Sequence, residues 1–386
     1  MQLKLSLAVS VVLWATGTVY AEDYVSIHYL GYDEESGQTF VHAPSFELNK
    51  DFGADYTLNA TVIHDSVSGA SPTFYDAKSG ASATISGDGK TYPSNIVYGD
   101  IDYEDNRTAV SVSLTQRMEE SRDAFTVGYS YSTEHDYTSR EISSEYLHYL
   151  DESKNRSVTV GASYQNNDVL VPCFLGKSMC DGISGASSKS LTKKLKVYNV
   201  SLGFTQVIDA ISQFKASLFG IYESGYLTSP YLRVVRSRSG NMYISPEKKP
   251  DLRKSAGMQF EYDKSWNDAF SSVWIYRFFY DDWEILSHML EAKLYYEWSE
   301  KFTTSLYGRY YHQSAAYFYS TDKSHFADEK YATSDRRLGE YSAYTVGVSA
   351  KYSLTDNVDI NLGAGYYDQP DRYSSNFFDL GVKYKF

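Results

Sequence analysis

Segments of strict apolar–polar alternation recur along this chain, and few folds accommodate them. In residues 376–386, Phe378, Leu380, Val382, Tyr384 and Phe386 alternate with Asp379, Gly381, Lys383 and Lys385. In 357–367, Val358, Ile360, Leu362, Ala364 and Tyr366 alternate with Asp359, Asn361, Gly363 and Gly365. A period of two places successive side chains on opposite faces of a β-strand, whereas a helix would repeat every three to four residues. Segments 344–354, 290–298, 158–164 and 125–131 follow the same rule. Strands are expected near 24–33, 38–49, 55–66, 104–116, 122–135, 139–150, 155–166 and 195–208. Further strands are expected near 212–226, 253–265, 270–283, 287–299, 302–315, 341–353, 356–368 and 376–386.

The connections sort by parity. Short turns fall at 50–54, 117–121, 151–154, 266–269 and 300–301, whereas the long connections at 67–103, 167–194, 227–252 and 316–340 all fall on the other side. An outer-membrane barrel has tight periplasmic turns on one rim and long extracellular loops on the other. Tyr352, Trp298, Phe302, Trp266, Phe270 and Phe386 lie beside the short turns, where an interfacial aromatic girdle belongs. The expected fold class is all-β, a transmembrane antiparallel β-barrel of about 16 strands.

Composition fits that architecture. The chain has 386 residues, 38 of them tyrosine and 8 proline, and tyrosine suits strands with one apolar and one wet end. The mean hydropathy of −0.43 suits a barrel whose strands half face a polar lumen. A net charge of −13 argues against nucleic acid as a partner. Lys4, the apolar run 5–15 and the small residues before Glu22 read as a signal peptide over 1–21, followed by a single barrel domain over 22–386. Cys173 and Cys180, close together in an exported chain, read as a disulfide.

A barrel of this size leaves an aqueous channel. The cations assigned inward are Lys196, Lys215, Arg277, Lys293, Arg309, Lys351, Lys383 and Lys385. The acids assigned inward include Glu261, Glu291, Glu297, Asp359 and Asp379, so the wall alone implies no ion selectivity. Apolar residues assigned inward, Val273, Ile275 and Phe279, suggest that something plugs the lumen. The loop 227–252 and its flanks carry Arg233, Arg236, Arg238, Lys248, Lys249, Arg253 and Lys254 against Glu247 and Asp251. Folded inward, the loop constricts the pore and favours anions; at the rim, it binds outer-leaflet phosphates; otherwise it is a solvated loop.

The acidic run 99–105 either offers oxygen ligands to a hard cation or is a strand's polar face, and no metal is assigned. The eight histidines are scattered. In His64-Asp65-Ser66, neighbouring side chains point to opposite faces of a strand, so no triad forms locally. No catalytic residue and no cofactor is expected.

The stretches 51–56, 65–72, 103–114, 126–137 and 146–150 and the final strand resemble the bacterial domain-of-unknown-function family 3570. That resemblance spans nearly all of the expected mature chain and implies an outer-membrane barrel of no assigned activity. The leading functional expectation is a porin-like channel for small polar solutes. The alternatives are a structural or assembly barrel whose loops dock a partner or surface lipid, and, third, a barrel enzyme. Expected partners are outer-membrane lipid, lipopolysaccharide and the barrel-insertion machinery. The terminal aromatics Phe386 and Tyr384 resemble the signal that machinery reads.

Overall fold

A strand in hydrocarbon must pair on both edges, because an unpaired N–H or C=O finds no water there. The computed structural model, which describes residues 23–35, 39–76, 84–85, 91–92, 96–172, 190–320, 325–370 and 372–386, meets that demand by closing a ring. In chain order the strands are β1 (Tyr24–Glu34), β2 (Thr39–Phe52), β3 (Tyr56–Asp76), β4 (Thr84–Ile85), β5 (Thr91–Tyr92), β6 (Ile96–Arg117) and β7 (Ala124–Thr133). Then come β8 (Tyr137–Tyr149), β9 (Arg156–Pro172), β10 (Ser190–Asp209), β11 (Ser212–Gly225), β12 (Arg233–Arg238), β13 (Asn241–Pro246) and β14 (Leu252–Ser265). The last are β15 (Phe270–Asp281), β16 (Leu286–Ser299), β17 (Phe302–Gln313), β18 (His325–Phe326), β19 (Tyr341–Thr355), β20 (Val358–Gln369) and β21 (Tyr373–Lys385).

Sixteen of these form a closed antiparallel barrel in the order β1-β2-β3-β6-β7-β8-β9-β10-β11-β14-β15-β16-β17-β19-β20-β21. The segments 139–150 and 270–283, where the alternation is poorest, are both wall strands, β8 and β15. The ring closes where β1 pairs with β21, from Tyr24 opposite Lys385 to Glu34 opposite Ser375. The Phe386 N–H adds a bond to the Asp23 carbonyl at 3.0 Å.

One face of the alternation forms an exposed apolar belt that includes Val112, Val160, Leu218, Leu306, Val348 and Val382. Among soluble proteins an exposed surface of this kind is rare, and here its natural solvent is lipid. Trp266, Trp298, Tyr352 and Phe386 stand exposed at the short-turn rim. Trp298 donates its indole N–H to the Thr304 hydroxyl at 2.9 Å. The opposite rim carries the long connections, including those that hold β4 with β5 and β12 with β13 and β18.

The structure lengthens several strands. β3 and β6 pair from Tyr56 opposite Gln116 to Asp76 opposite Ile96, and β9 with β10 from Gln206 opposite Arg156 to Ser190 opposite Pro172. At about 3.3 Å per residue these hairpins overtop a bilayer that needs only about ten residues per strand. Past the membrane edge the lipid-facing apolar pattern no longer applies, so the sequence pattern ends before the strand does.

The belt makes a direct prediction. Arg at the outward Val348 should destabilise the folded barrel in lipid by about 2–4 kcal/mol, while Arg at the neighbouring inward Ser349 should cost little. Urea titration in lipid vesicles, read by tryptophan fluorescence, measures both; equal costs would contradict the assigned faces.

Candidate functional site

The lumen has two unlike walls. On one side a register row of small residues, Ser113, Gly128, Ser143 and Ser163, crosses β6 to β9 and reaches Asn199 on β10, and in the next row Gly161 pairs with Ser201. The opposite wall is bulky. Arg277, Met289 and Tyr311 share one row across β15 to β17, and Arg309, Thr345 and Tyr367 share the next across β17 to β20. Tyrosines from consecutive strands meet in an arc. Tyr311 hydrogen-bonds Tyr341 with ring centroids 5.6 Å apart, and Tyr367 hydrogen-bonds Tyr373 with centroids 5.5 Å apart. Glycine makes this wall possible at Gly365, where a Cβ would collide with the ring of Phe377. The bulkier inward side chains are therefore gathered on one wall and the smaller ones on the other.

Most inward cations are paired with acids. Lys215 lies 2.6 Å from Glu261 and 3.4 Å from Asp263. Lys293 lies 3.2 Å from Glu291, and Lys351 and Lys385 both lie 3.3 Å from Asp359. Arg253 bonds Asp281 at 2.5 Å. Arg309 instead donates to the Thr345 hydroxyl at 3.1 Å, and the Arg277 guanidinium lies 4.7 Å from the Phe219 ring centroid. Glu297 faces inward near the short-turn rim, opposite Thr303. Lys383 points inward beneath the ring of Tyr24, 3.8 Å from its centroid.

Lys196 is a correction: the register turns it outward, because its neighbours Leu195 and Val197 point inward. Those two, with Val169 and Val171, form the wall side of an apolar core above the membrane. Its other side comes from the connections: Leu227, Trp283, Ile285, Ala316, Phe318 and Leu338. Apolar residues at this height point inward to meet a cap, so the lipid-facing rule inverts.

The described part of the cap is built from 226–251, 314–320 and 325–340. The chain leaves the wall at Gly225, whose φ of +123° and close approach to the Lys194 carbonyl exclude a side chain. The hairpin β12–β13 then reaches over the mouth, and Val235 and Ile244 pack with Ile96 at the start of β6, on another sector of the ring. β18 joins β12 in parallel, Arg236 opposite His325. Gln313 pins the second connection to the wall by donating to the carbonyls of Arg337 at 2.9 Å and Gly339 at 2.8 Å.

The basic loop thus folds over the mouth, with much of its charge directed inward on the protein. Lys249 is 1% exposed and contacts Glu247 at 3.2 Å and Asp335 at 3.1 Å. Asp335 also accepts from Arg337 at 2.7 Å. Burial alone would raise the Asp335 carboxyl, but Arg337 and Lys249 outweigh it and hold the group well below its ordinary value. Glu247 accepts from the Ser229 amide at 2.7 Å and the Thr333 hydroxyl at 2.5 Å. Buried Arg236 donates to the carbonyls of Phe326 and Glu329 at 3.0 and 2.8 Å. Arg233 is half-buried, and its carbonyl accepts from Ser334 at 2.8 Å, while Arg238 and Lys248 are exposed. Lys249 and Arg236 therefore clamp one cap segment to the other.

A second polar cluster meets the cap from the side. The carboxylates of Asp105, Glu134 and Asp136 converge within 4.8 Å, and Tyr231 of the cap hydrogen-bonds Asp136. Burial, reinforced by Asp105 and Asp136, raises Glu134 from 4.5 to about 7. Beside them, buried Arg107 pairs with Asp65 at 2.9 Å. The sequence run 99–105 thus contributes Asp105 to a cluster with residues far along the chain; the side chains of 99–103 lie outside the described residues. So do Cys173, Cys180 and residues 1–22.

His64 and Asp65 point to opposite faces, His64 meeting the Thr108 hydroxyl at 3.0 Å and Asp65 meeting Arg107. The histidines of the chain sit on separate strands or turns, His148 beside Asp123 at the short-turn rim and His325 beside Glu329 in the cap. The tyrosine arc and the Lys249 clamp escaped sequence reasoning. Their members are distant in sequence, and each alone reads as a wall tyrosine or a loop charge.

Two predictions test this geometry. Lys249→Met removes the one cation on Glu247 among the described residues and one of two on Asp335, and should destabilise cap closure by about 3 kcal/mol. Hydrogen exchange should then accelerate in 228–251 and 325–338 but not in the barrel strands; unchanged rates would refute the clamp. For Glu134 the folded carboxyl holds its proton more tightly than the unfolded one. Its contribution is fully present below 4.5 and is lost as pH rises through about 7. Exchange at 134–136 and 228–232 should therefore quicken over that interval in the wild type and lose the dependence in Glu134→Gln.

Similar architectures are known. The structure resembles a bacterial polysaccharide outer membrane secretin with a TM-score of 0.50 and 7% identity, over 96% of this chain and 100% of that one. It also resembles the CymD monoaromatic hydrocarbon channel (TM-score 0.44, 8% identity, 95% and 89% coverage). A third is a Pseudomonas aeruginosa FadL homologue (TM-score 0.43, 11% identity, 94% and 90% coverage). At these identities the likeness concerns the fold. No curated protein sequence matches the chain. The family model described as protein of unknown function (DUF3570) matches residues 10–377, nearly the whole length, and the chain belongs to that family.

Proposed function

We propose that the protein is a capped transport barrel of the bacterial outer membrane, delivered by a cleaved signal peptide and passing small polar solutes. The observation that carries this reading is the pairing of a polar bore with a cap that folds over its mouth from one side. The cap is joined to the wall through Gly225, Gln313 and a shared apolar core, and to itself through the ionic contacts of Lys249; local opening would have to part that core.

The full chain, reconstituted in a planar bilayer, should conduct ions in discrete steps. Removal of the hairpin tip 236–243 should raise the open probability or unit conductance severalfold. Silence from both proteins, each verified as a folded barrel by its heat-dependent gel mobility, would overturn the transport reading.

A second reading draws on the outer face of the cap, where Tyr231, Met242, Tyr243, Tyr317 and Phe326 are exposed. Such a patch fits an assembly role in which the cap docks a partner or surface lipid such as lipopolysaccharide. It predicts no conductance and loss of a co-purifying partner when the tip is removed. At the other rim, Phe386 stacks on Tyr384 at 6.2 Å and lies 5.0 Å from the Lys50 ammonium. We assign this outward aromatic pair to recognition by the barrel-insertion machinery, so Phe386→Ser should slow assembly in cells.

A further inference from the structure

Two inward guanidiniums are exceptions to the pairing seen elsewhere on the wall. Lys215, Arg253, Lys293, Lys351 and Lys385 each have a carboxylate within 4.0 Å. Among the described residues, no carboxylate lies within that distance of Arg277 or Arg309. Glu291, which faces Arg309 across the strands, is engaged by Lys293 at 3.2 Å and the Tyr307 hydroxyl at 3.1 Å. Both arginines are half-buried, so neither is fully hydrated.

Aromatic and apolar side chains flank Arg277, while Arg309 has Thr345 and Glu291 as its register partners and Tyr367 further along its row. Arg277 lies over Phe219 and shares a row with Met289 and Tyr311. The two Cα positions stand two strands and two residues of rise apart, about 12 Å, so one small solute reaches both guanidiniums only where Arg277 swings from Phe219 and Arg309 from Thr345 toward the space between them. A guanidinium offers a planar fork of donors matched to a carboxylate, and tyrosine and methionine faces accept a flat apolar body.

We propose that Arg277 and Arg309, with Tyr311, Met289 and Tyr367, form a lumenal subsite for a small aromatic carboxylate. This assignment rests on the transport reading for its purpose, although binding itself does not require conduction. The carboxylate takes the guanidinium donors that no protein acid takes, and the ring lies against the tyrosine wall.

Calorimetric titration of the purified full chain in detergent with benzoate, benzamide and acetate tests the proposal. Benzoate should bind at least about tenfold more tightly than neutral benzamide or ring-free acetate. Arg277→Gln and Arg309→Gln, each verified as folded by heat-dependent mobility, should each weaken benzoate about tenfold. Equal affinity for benzoate and benzamide, no benzoate binding by the wild type, or unchanged affinity in both folded variants would overturn the subsite. The benzamide comparison decides the matter even where a variant fails to fold. Benzoate binding with a silent bilayer would leave the subsite standing and sink transport; conductance with no benzoate binding would do the reverse.

Discussion

Backbone hydrogen bonding inside hydrocarbon is the constraint on which this structure depends. An amide left unpaired in lipid costs several kcal/mol, so an amphipathic strand survives there only as part of a closed ring. The pairing of β1 with β21 removes the last two free edges. Every other feature follows from that closure. The outward residues of each strand meet lipid, the inward ones define a bore, and the connections gather at two rims.

Closure also divides the chemistry by height. Within the membrane, apolar residues point out and polar residues point in. Above it the outer surface meets water and the inner surface meets the cap, so Leu195 and Val197 turn inward and Lys196 turns out. The cap is held by an apolar core around Trp283 and Phe318, whose rings meet edge-on at 5.1 Å. The buried Lys249–Asp335 contact adds register more than energy, since a buried ion pair barely repays its desolvation.

The two faces of the lumen differ in bulk. Bulky tyrosine and arginine side chains crowd one wall, and serine and glycine clear the other. Guanidinium donors and ring faces thus line one side, and serine hydroxyls and bare backbone the other.

Much of the barrel was legible in the sequence, because alternation and loop parity are local or countable. The alternation over 376–386 and 357–367 marks two neighbouring strands, and the sorting of long connections marks the rim that carries them. The strand ends at Asp76, Ile96, Pro172 and Ser190 were not legible, since beyond the lipid no apolar pattern is imposed. Tertiary structure alone decided that Lys249 would be buried against Asp335 and that Asp105 would meet Glu134. It alone decided that tyrosines from β17, β19, β20 and β21 would share one arc. Those contacts join residues whose proximity is set by ring closure and by a loop folding back over it, and no local pattern records either event.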